Sequence, residues 1–258
     1  MRKHGFITSC LMVSVVAAGC GGPRRPSSDA NAAEAPGTPT TVSPPAGTPP
    51  SNVVAPVSFK EAETAYTEKR YSDALRLFTA YTSERPENVW GYYMLGLSAW
   101  KGGDRETAVK AFSLALEKDS THVKSHLNLG RVLIETDRAA EAIPHIEAAL
   151  KIDSTSGEGF RVLARAKRTA GDLEGAITAY KRAIVLDGRD TWSLNGLGRA
   201  YIESGKFDEA LGPLARAVEI DSSSAVVQRN LGIALEHSSR VDLAALAKSF
   251  EVEVQTWK

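Results

Sequence analysis

The sequence predicts an all-α solenoid of six helix-turn-helix repeats after a disordered linker, and three observations predict it. A pattern of small and bulky apolar residues returns every 34 residues from Ala55 to Lys258 without an insertion. Within each repeat the apolar and small positions recur at helical spacing, in two stretches separated by turn signals such as Gly102-Gly103-Asp104, Gly171-Asp172 and Gly205-Lys206. Between Gly21 and Val54 large side chains are scarce, and nine of the twelve prolines lie between Pro23 and Pro56.

Composition narrows the function classes. Among 258 residues, Lys plus Arg and Asp plus Glu each total 31, so the net charge is zero and no global basic excess exists to drive nonspecific nucleic-acid binding. Apolar residues at 43% and charged residues at 24% are the usage of a globular domain. Both cysteines, Cys10 and Cys20, fall in the first twenty residues, so nothing beyond them can form an internal disulfide or a cysteine-based zinc site.

The chain begins as an address. Met1-Arg2-Lys3-His4 is positively charged, and Phe6 to Ala18 is an apolar run too short to span a bilayer stably. It ends in Ala17-Ala18-Gly19-Cys20, which resembles the lipobox of bacterial lipoprotein signals. That resemblance implies removal of residues 1–19, lipidation of Cys20 with a fatty acyl group such as palmitate, and a membrane contact through that anchor alone. Gly21, with no Asp in its place, implies an outer-membrane destination facing the periplasm. Residues 20–54, composed mainly of Pro, Ala, Ser, Thr and Gly after the cysteine, cannot bury enough apolar area to offset their ordering entropy. Such a linker would reach ~30 Å as a coil and ~100 Å at most as polyproline II.

From Ala55 the repeats begin at Ala55, Val89, Val123, Gly157, Thr191 and Ala225, giving segments 55–88, 89–122, 123–156, 157–190, 191–224 and 225–258. Each first stretch carries a leucine followed by a small residue: Leu95-Gly96, Leu129-Gly130, Leu163-Ala164, Leu197-Gly198 and Leu231-Gly232. Each second stretch carries an alanine and, four residues later, a bulky residue, as in Ala108 with Phe112, Ala142 with Ile146, Ala176 with Tyr180 and Ala210 with Leu214. Small residues on both stretches predict closely crossed helices, because a larger side chain at either crossing would push the axes apart. Extending the phase gives Ala74 at the start and Ala244 at the end. In the last repeat Lys248 and Glu251 replace apolar sites, which predicts a solvating cap.

These positions resemble the tetratricopeptide repeat, whose small, aromatic and alanine positions follow the same period. The pattern's terminal proline survives only as Pro86 and is otherwise Ser120, Ser154, Gly188 and Ser222. The resemblance implies a right-handed superhelix with the first helices on its concave wall. It also implies that the second, fifth, ninth and twelfth residues of each repeat face the groove, a spacing that lies on one helical face. In repeats one and two those positions include Pro56, Phe59, Tyr66, Trp90, Tyr93 and Trp100. Repeats three to six supply Lys124, Arg131, Arg161, Arg165, Arg168, Arg199 and Arg229 against only Glu158 and Glu236. From Ala55 onward the chain has 27 basic and 29 acidic residues, so this positive wall reflects segregation, not excess.

Arginines on consecutive first helices would grip carboxylates through paired donors. Asn128 and Asn195 beside them suit the backbone amides of an extended ligand, and Trp90 and Trp192 offer flat anchors. The competing reading has the arginines paired with acidic neighbours in the next repeat and the aromatics packed. No residue pattern points to catalysis, a cofactor, a metal or a small-molecule substrate. His122 and His126 stand four apart without a third ligand nearby, and His126 falls where a packing aromatic is usual.

The expected function is that of a lipid-anchored scaffold binding a protein or peptide with acidic groups, with no nucleic-acid partner. The plan of signal, lipobox and six repeats is similar to that of type IV pilus pilotins, which implies secretin assembly. A second resemblance, to lipoproteins that dock peptidoglycan hydrolases and proteases, implies an adaptor for cell-wall enzymes. A third reading is a self-associating solenoid whose groove is incidental.

Overall fold

The computed structural model describes residues 56–238 and 242–258, which fold into twelve α-helices with no strand among the described residues. The expected signal peptide, Cys20 and the linker lie outside them. Five helix pairs follow one another: α1 (Phe59–Thr67) with α2 (Tyr71–Glu84), α3 (Val89–Lys101) with α4 (Arg105–Lys118), and α5 (Val123–Glu135) with α6 (Ala139–Ile152). They continue as α7 (Gly157–Thr169) with α8 (Leu173–Leu186) and α9 (Thr191–Glu203) with α10 (Phe207–Ile220). The chain closes with α11 (Ala225–Glu236) and α12 (Leu243–Thr256).

The first helices of repeats two to six begin on the residues that the period marks. Repeat one differs, because Ser58 caps α1 by accepting from the Glu61 amide at 3.0 Å. Pro56 therefore precedes the helix and does not stand on a groove face. Each pair turns through one residue in left-handed backbone. Gly103, Gly171 and Gly205 take that role at φ 90°, 89° and 71°, while Lys69 and Asp137 do so at φ 61° and 59°. Asp104 and Asp172 then cap the second helix, accepting from the amides of Thr107 and Gly175 at 3.0 and 2.9 Å.

Where the proline stop is lacking, an aspartate one position before its place ends the helix. Asp119, Asp153, Asp187 and Asp221 each end a second helix and accept from the backbone amide two residues on. The prolines inside second helices, Pro144 and Pro213, are absorbed within continuous α6 and α10.

Close crossing is visible at the glycines. A methyl group on Gly96, Gly130 or Gly198 would lie 2.7, 2.6 or 2.4 Å from Phe112, Ile146 or Leu214 respectively. Ala108, Ala142, Ala176 and Ala210 on the facing helices have no exposed surface.

The sixth repeat, over 225–258, packs differently from the other five. Gly232 has nothing within 4 Å of where its side chain would be, and Ala244 is exposed. Lys248 occupies the place of Phe112, Ile146, Tyr180 and Leu214, and an ammonium cannot fill that apolar seat. Instead α12 packs on α10, with a smaller contact to α8. Leu246, Ala247, Phe250 and Val254 form its buried face, and Glu251 pairs with Arg216 at 2.5 Å. The last helix is thus docked through Glu251 and not merely solvated by it.

Candidate functional site

Successive turns of α7 put Arg161, Arg165 and Arg168 on one face, with Arg131 from α5 on one side and Trp192, Asn195 and Arg199 from α9 on the other. These side chains line a cleft of about 580 Å³, with Val162, Tyr180 and Val226 completing its walls. Gly196 opens it. At the equivalent position the neighbouring first helices carry Val162 and Asn230, whereas a methyl group on Gly196 would lie 2.4 Å from the Tyr180 ring. Burial pushes the Tyr180 phenol above its ordinary pKa, and the nearby arginines partly offset that.

Four of the five cleft arginines hold carboxylates of their own chain. Arg131 bonds to Glu158 and, at 2.8 Å, to the Asn128 carbonyl. Arg161 donates to Asp190 at 2.7 Å and stands 3.9 Å from Glu158. Arg168 and Arg199 share one oxygen of Glu203 at 2.8 and 3.2 Å. Arg165 is exposed and has no ion pair or hydrogen bond among the described residues. Five guanidinium groups therefore face three carboxylates, and the surplus centres on Arg165. Asp190 has a second task. Its side chain, only 9% exposed, accepts from the Trp192 amide and the Ser193 hydroxyl, so the carboxylate that orients Arg161 also starts α9 and sets Trp192 at the cleft. Trp192 is 76% exposed there. Asn195 accepts from Asn230 at 2.7 Å.

The aromatic half is built differently. Phe59 meets Phe78 and Tyr81 edge-on, with both ring centroids 5.4 Å away. Tyr66 packs on Tyr71. Tyr93 is half-buried against Phe112 and accepts from the buried Asn128 amide at 3.3 Å, so Asn128 links Tyr93 to Arg131 and is not free for a ligand. Trp100 donates to Glu135 at 2.9 Å. Trp90 alone in this group keeps an open face, 49% exposed, with Lys124 above its ring and Tyr93 and His122 at its edges. Arg229 is exposed on α11 and does not line the cleft.

His126 is buried beside His145, with ring centroids 5.7 Å apart, and its Nε2 contacts the Ser120 carbonyl at 3.0 Å. Its Nδ1 has no hydrogen-bond partner. No group of three metal-ligating side chains occurs among the described residues.

Sequence reasoning did not place Tyr180, Val162, Gly196 or Val226 in the cleft. Nor did it name Asp190 and Glu203 as the arginines' partners. Both carboxylates fall outside the four groove columns, yet Glu203 lies 35 residues after Arg168, the same offset that joins Trp100 to Glu135. That recurring offset was the available signal.

The tetratricopeptide repeat model matches residues 93–157, 161–225 and 197–248. No curated protein matches this sequence. Among solved structures, MamA from Desulfovibrio magneticus RS-1 is similar with a TM-score of 0.61 at 20% identity, over 64% of this chain and 94% of that one. YrrB, described as a TPR protein with an unusual peptide-binding site, aligns with a TM-score of 0.59 at 17% identity, over 66% and 88%. TTC0263, a thermophilic TPR protein of Thermus thermophilus, aligns with a TM-score of 0.54 at 19% identity, over 70% and 97%. At these identities the likeness is one of fold.

Proposed function

Since the chain belongs to the tetratricopeptide repeat family, a fold suited to protein–protein scaffolding, we propose that it holds partner proteins by extended acidic segments laid in its concave cleft. The single observation that carries this reading is the uncompensated charge at Arg165 within the α5–α7–α9 cleft. YrrB's peptide-binding site, on a similar fold, supports a peptide ligand. The lipobox-like Ala17-Ala18-Gly19-Cys20 supports a lipid-anchored scaffold in a bacterial envelope, at the outer membrane and facing the periplasm. No helix among the described residues is long and apolar enough to cross a membrane. The proposed attachment is the lipid on Cys20. Nothing in the cleft provides a nucleophile activated by a base, and the proposed role is binding, not catalysis.

The plan of lipobox and repeats, similar to that of pilotins, favours assembly of a secretin for a type IV pilus. Affinity capture with the full chain and with its R165E variant tests the binding role. Partners should be recovered by the first and lost by the second; equal recovery by both refutes a cleft-based scaffold. The secretin role predicts monomeric pore protein in a deletion strain, and normal multimers there would eliminate it. Cell-wall hydrolases among the lost partners would favour the adaptor reading instead.

A further inference from the structure

The repeat geometry indicates what the cleft lacks. Arg131, Arg165 and Arg199 are the ninth residues of three successive repeats. Arg131 is met by Glu158, the second residue of the next repeat, 27 positions on. One repeat later the equivalent of that pair is Arg165 with Trp192. Where that offset gives Arg131 a carboxylate, it gives Arg165 an indole, and both residues line the same cleft. At the same offset Arg199 has Val226, and it finds a partner in Glu203 from its own helix. Arg165 finds none among the described residues.

We infer that this is an unfilled ion-pair site which a peptide completes: an acidic side chain of the ligand supplies to Arg165 the carboxylate that Glu158 supplies to Arg131, and an adjoining aromatic or branched apolar side chain lies on Trp192. The inference rests on the cleft reading above and deepens it by naming the recognised element. A guanidinium with all its donors free can accept a carboxylate in a paired, planar contact. Trp192, its backbone amide held by Asp190 and its ring 76% exposed, offers a flat apolar surface at the cleft. The acidic and apolar residues should stand within about three positions of each other, since an extended chain advances about 3.3 Å per residue and both subsites belong to one cleft. The three carboxylates already paired with the cleft's arginines disfavour a polyphosphate backbone, as does the absence of basic excess in the repeats.

Selection of a phage-displayed library of random short peptides on the full chain tests this. Enriched peptides should carry Asp or Glu near an aromatic or branched residue. Their affinity should fall about tenfold or more in R165Q, the scale of losing a charge-assisted pair. W192E, which supplies an intramolecular carboxylate, should weaken them more than W192A, while R76Q on an exposed face of α2 should leave them unchanged. Enriched peptides without an acidic residue, or equal affinity in W192E and W192A, overturn the inference. If such peptides still lose binding in V226R, which adds bulk at the cleft's exposed edge, the cleft remains the binding surface without this motif. Peptides indifferent to every cleft variant, or a library that yields no binder, count against both.

Discussion

The aromatic first two repeats and the arginine-lined third to fifth use the same columns of the repeat, with opposite results. Phe59, Tyr66, Tyr93 and Trp100 are taken up by neighbours, whereas Arg165 and Trp192 remain available. A groove position does not by itself create a binding surface. What its neighbours, in the same repeat or the next, send toward it decides. Asn128 satisfies Tyr93, Glu135 satisfies Trp100 and Glu203 satisfies Arg168, each across an offset of 35 residues. Thirty-five residues after Arg165 stands Ala200, which is fully buried and has no polar side-chain group.

If neighbours decide availability, the two regions should respond oppositely to truncation. Phe59→Ala removes a ring packed on Phe78 and Tyr81 and should lower unfolding stability by about 2–4 kcal/mol in a denaturant titration. Arg165→Gln should change it by no more than about 0.5 kcal/mol. A large loss in the arginine variant would mean that the cleft is structural after all.

The glycines extend the contrast to the repeat's own seams. Gly198→Ala must push against Leu214 and should cost about 1–3 kcal/mol. Gly232→Ala meets nothing and should gain up to about 1 kcal/mol from helix propensity. Equal losses at both sites would show that α12 sits on α11 like any other second helix.

Salt should separate the regions next. Peptide affinity at the cleft should fall several-fold between low and high ionic strength, because the exposed guanidinium is screened, while the apolar packing of repeats one and two should not weaken. Affinity independent of salt would contradict a charge-based cleft.

The smallest effect concerns pH. Burial holds His122, packed against Trp90 and Tyr93, below its ordinary pKa, with Asp119 opposing, and burial likewise lowers His145. The unfolded chain then takes up protons more readily, so the stability these residues confer is present above about pH 6.5 and is lost as pH falls below it. Thermal unfolding at neutral and mildly acidic pH should show this fall, reduced in His145→Gln. Arginine does not titrate in that range, so the cleft's charge should persist.

The helix pairs were legible because their causes are local and repeated: the small residue of the first helix, the alanine of the second, and the glycine or cap between them. The arginine face was legible too, since three residues on one α7 surface follow from spacing alone. The pairing of those arginines was not, because Asp190 belongs to an inter-repeat turn and Glu203 to a column outside the groove. The docking of α12 was also missed, although Lys248 carried the signal. A lysine in an apolar seat reads equally as a solvated cap or as a helix displaced to another neighbour, and only packing against Gly212 and Arg216 distinguishes them.

A crystal structure of the chain bound to a selected peptide tests the central claim most directly. The account predicts a ligand carboxylate within hydrogen-bonding distance of the Arg165 guanidinium, with an apolar side chain against Trp192. A peptide seated on the second helices or on the uncovered face of α11, with Arg165 still free, would contradict it.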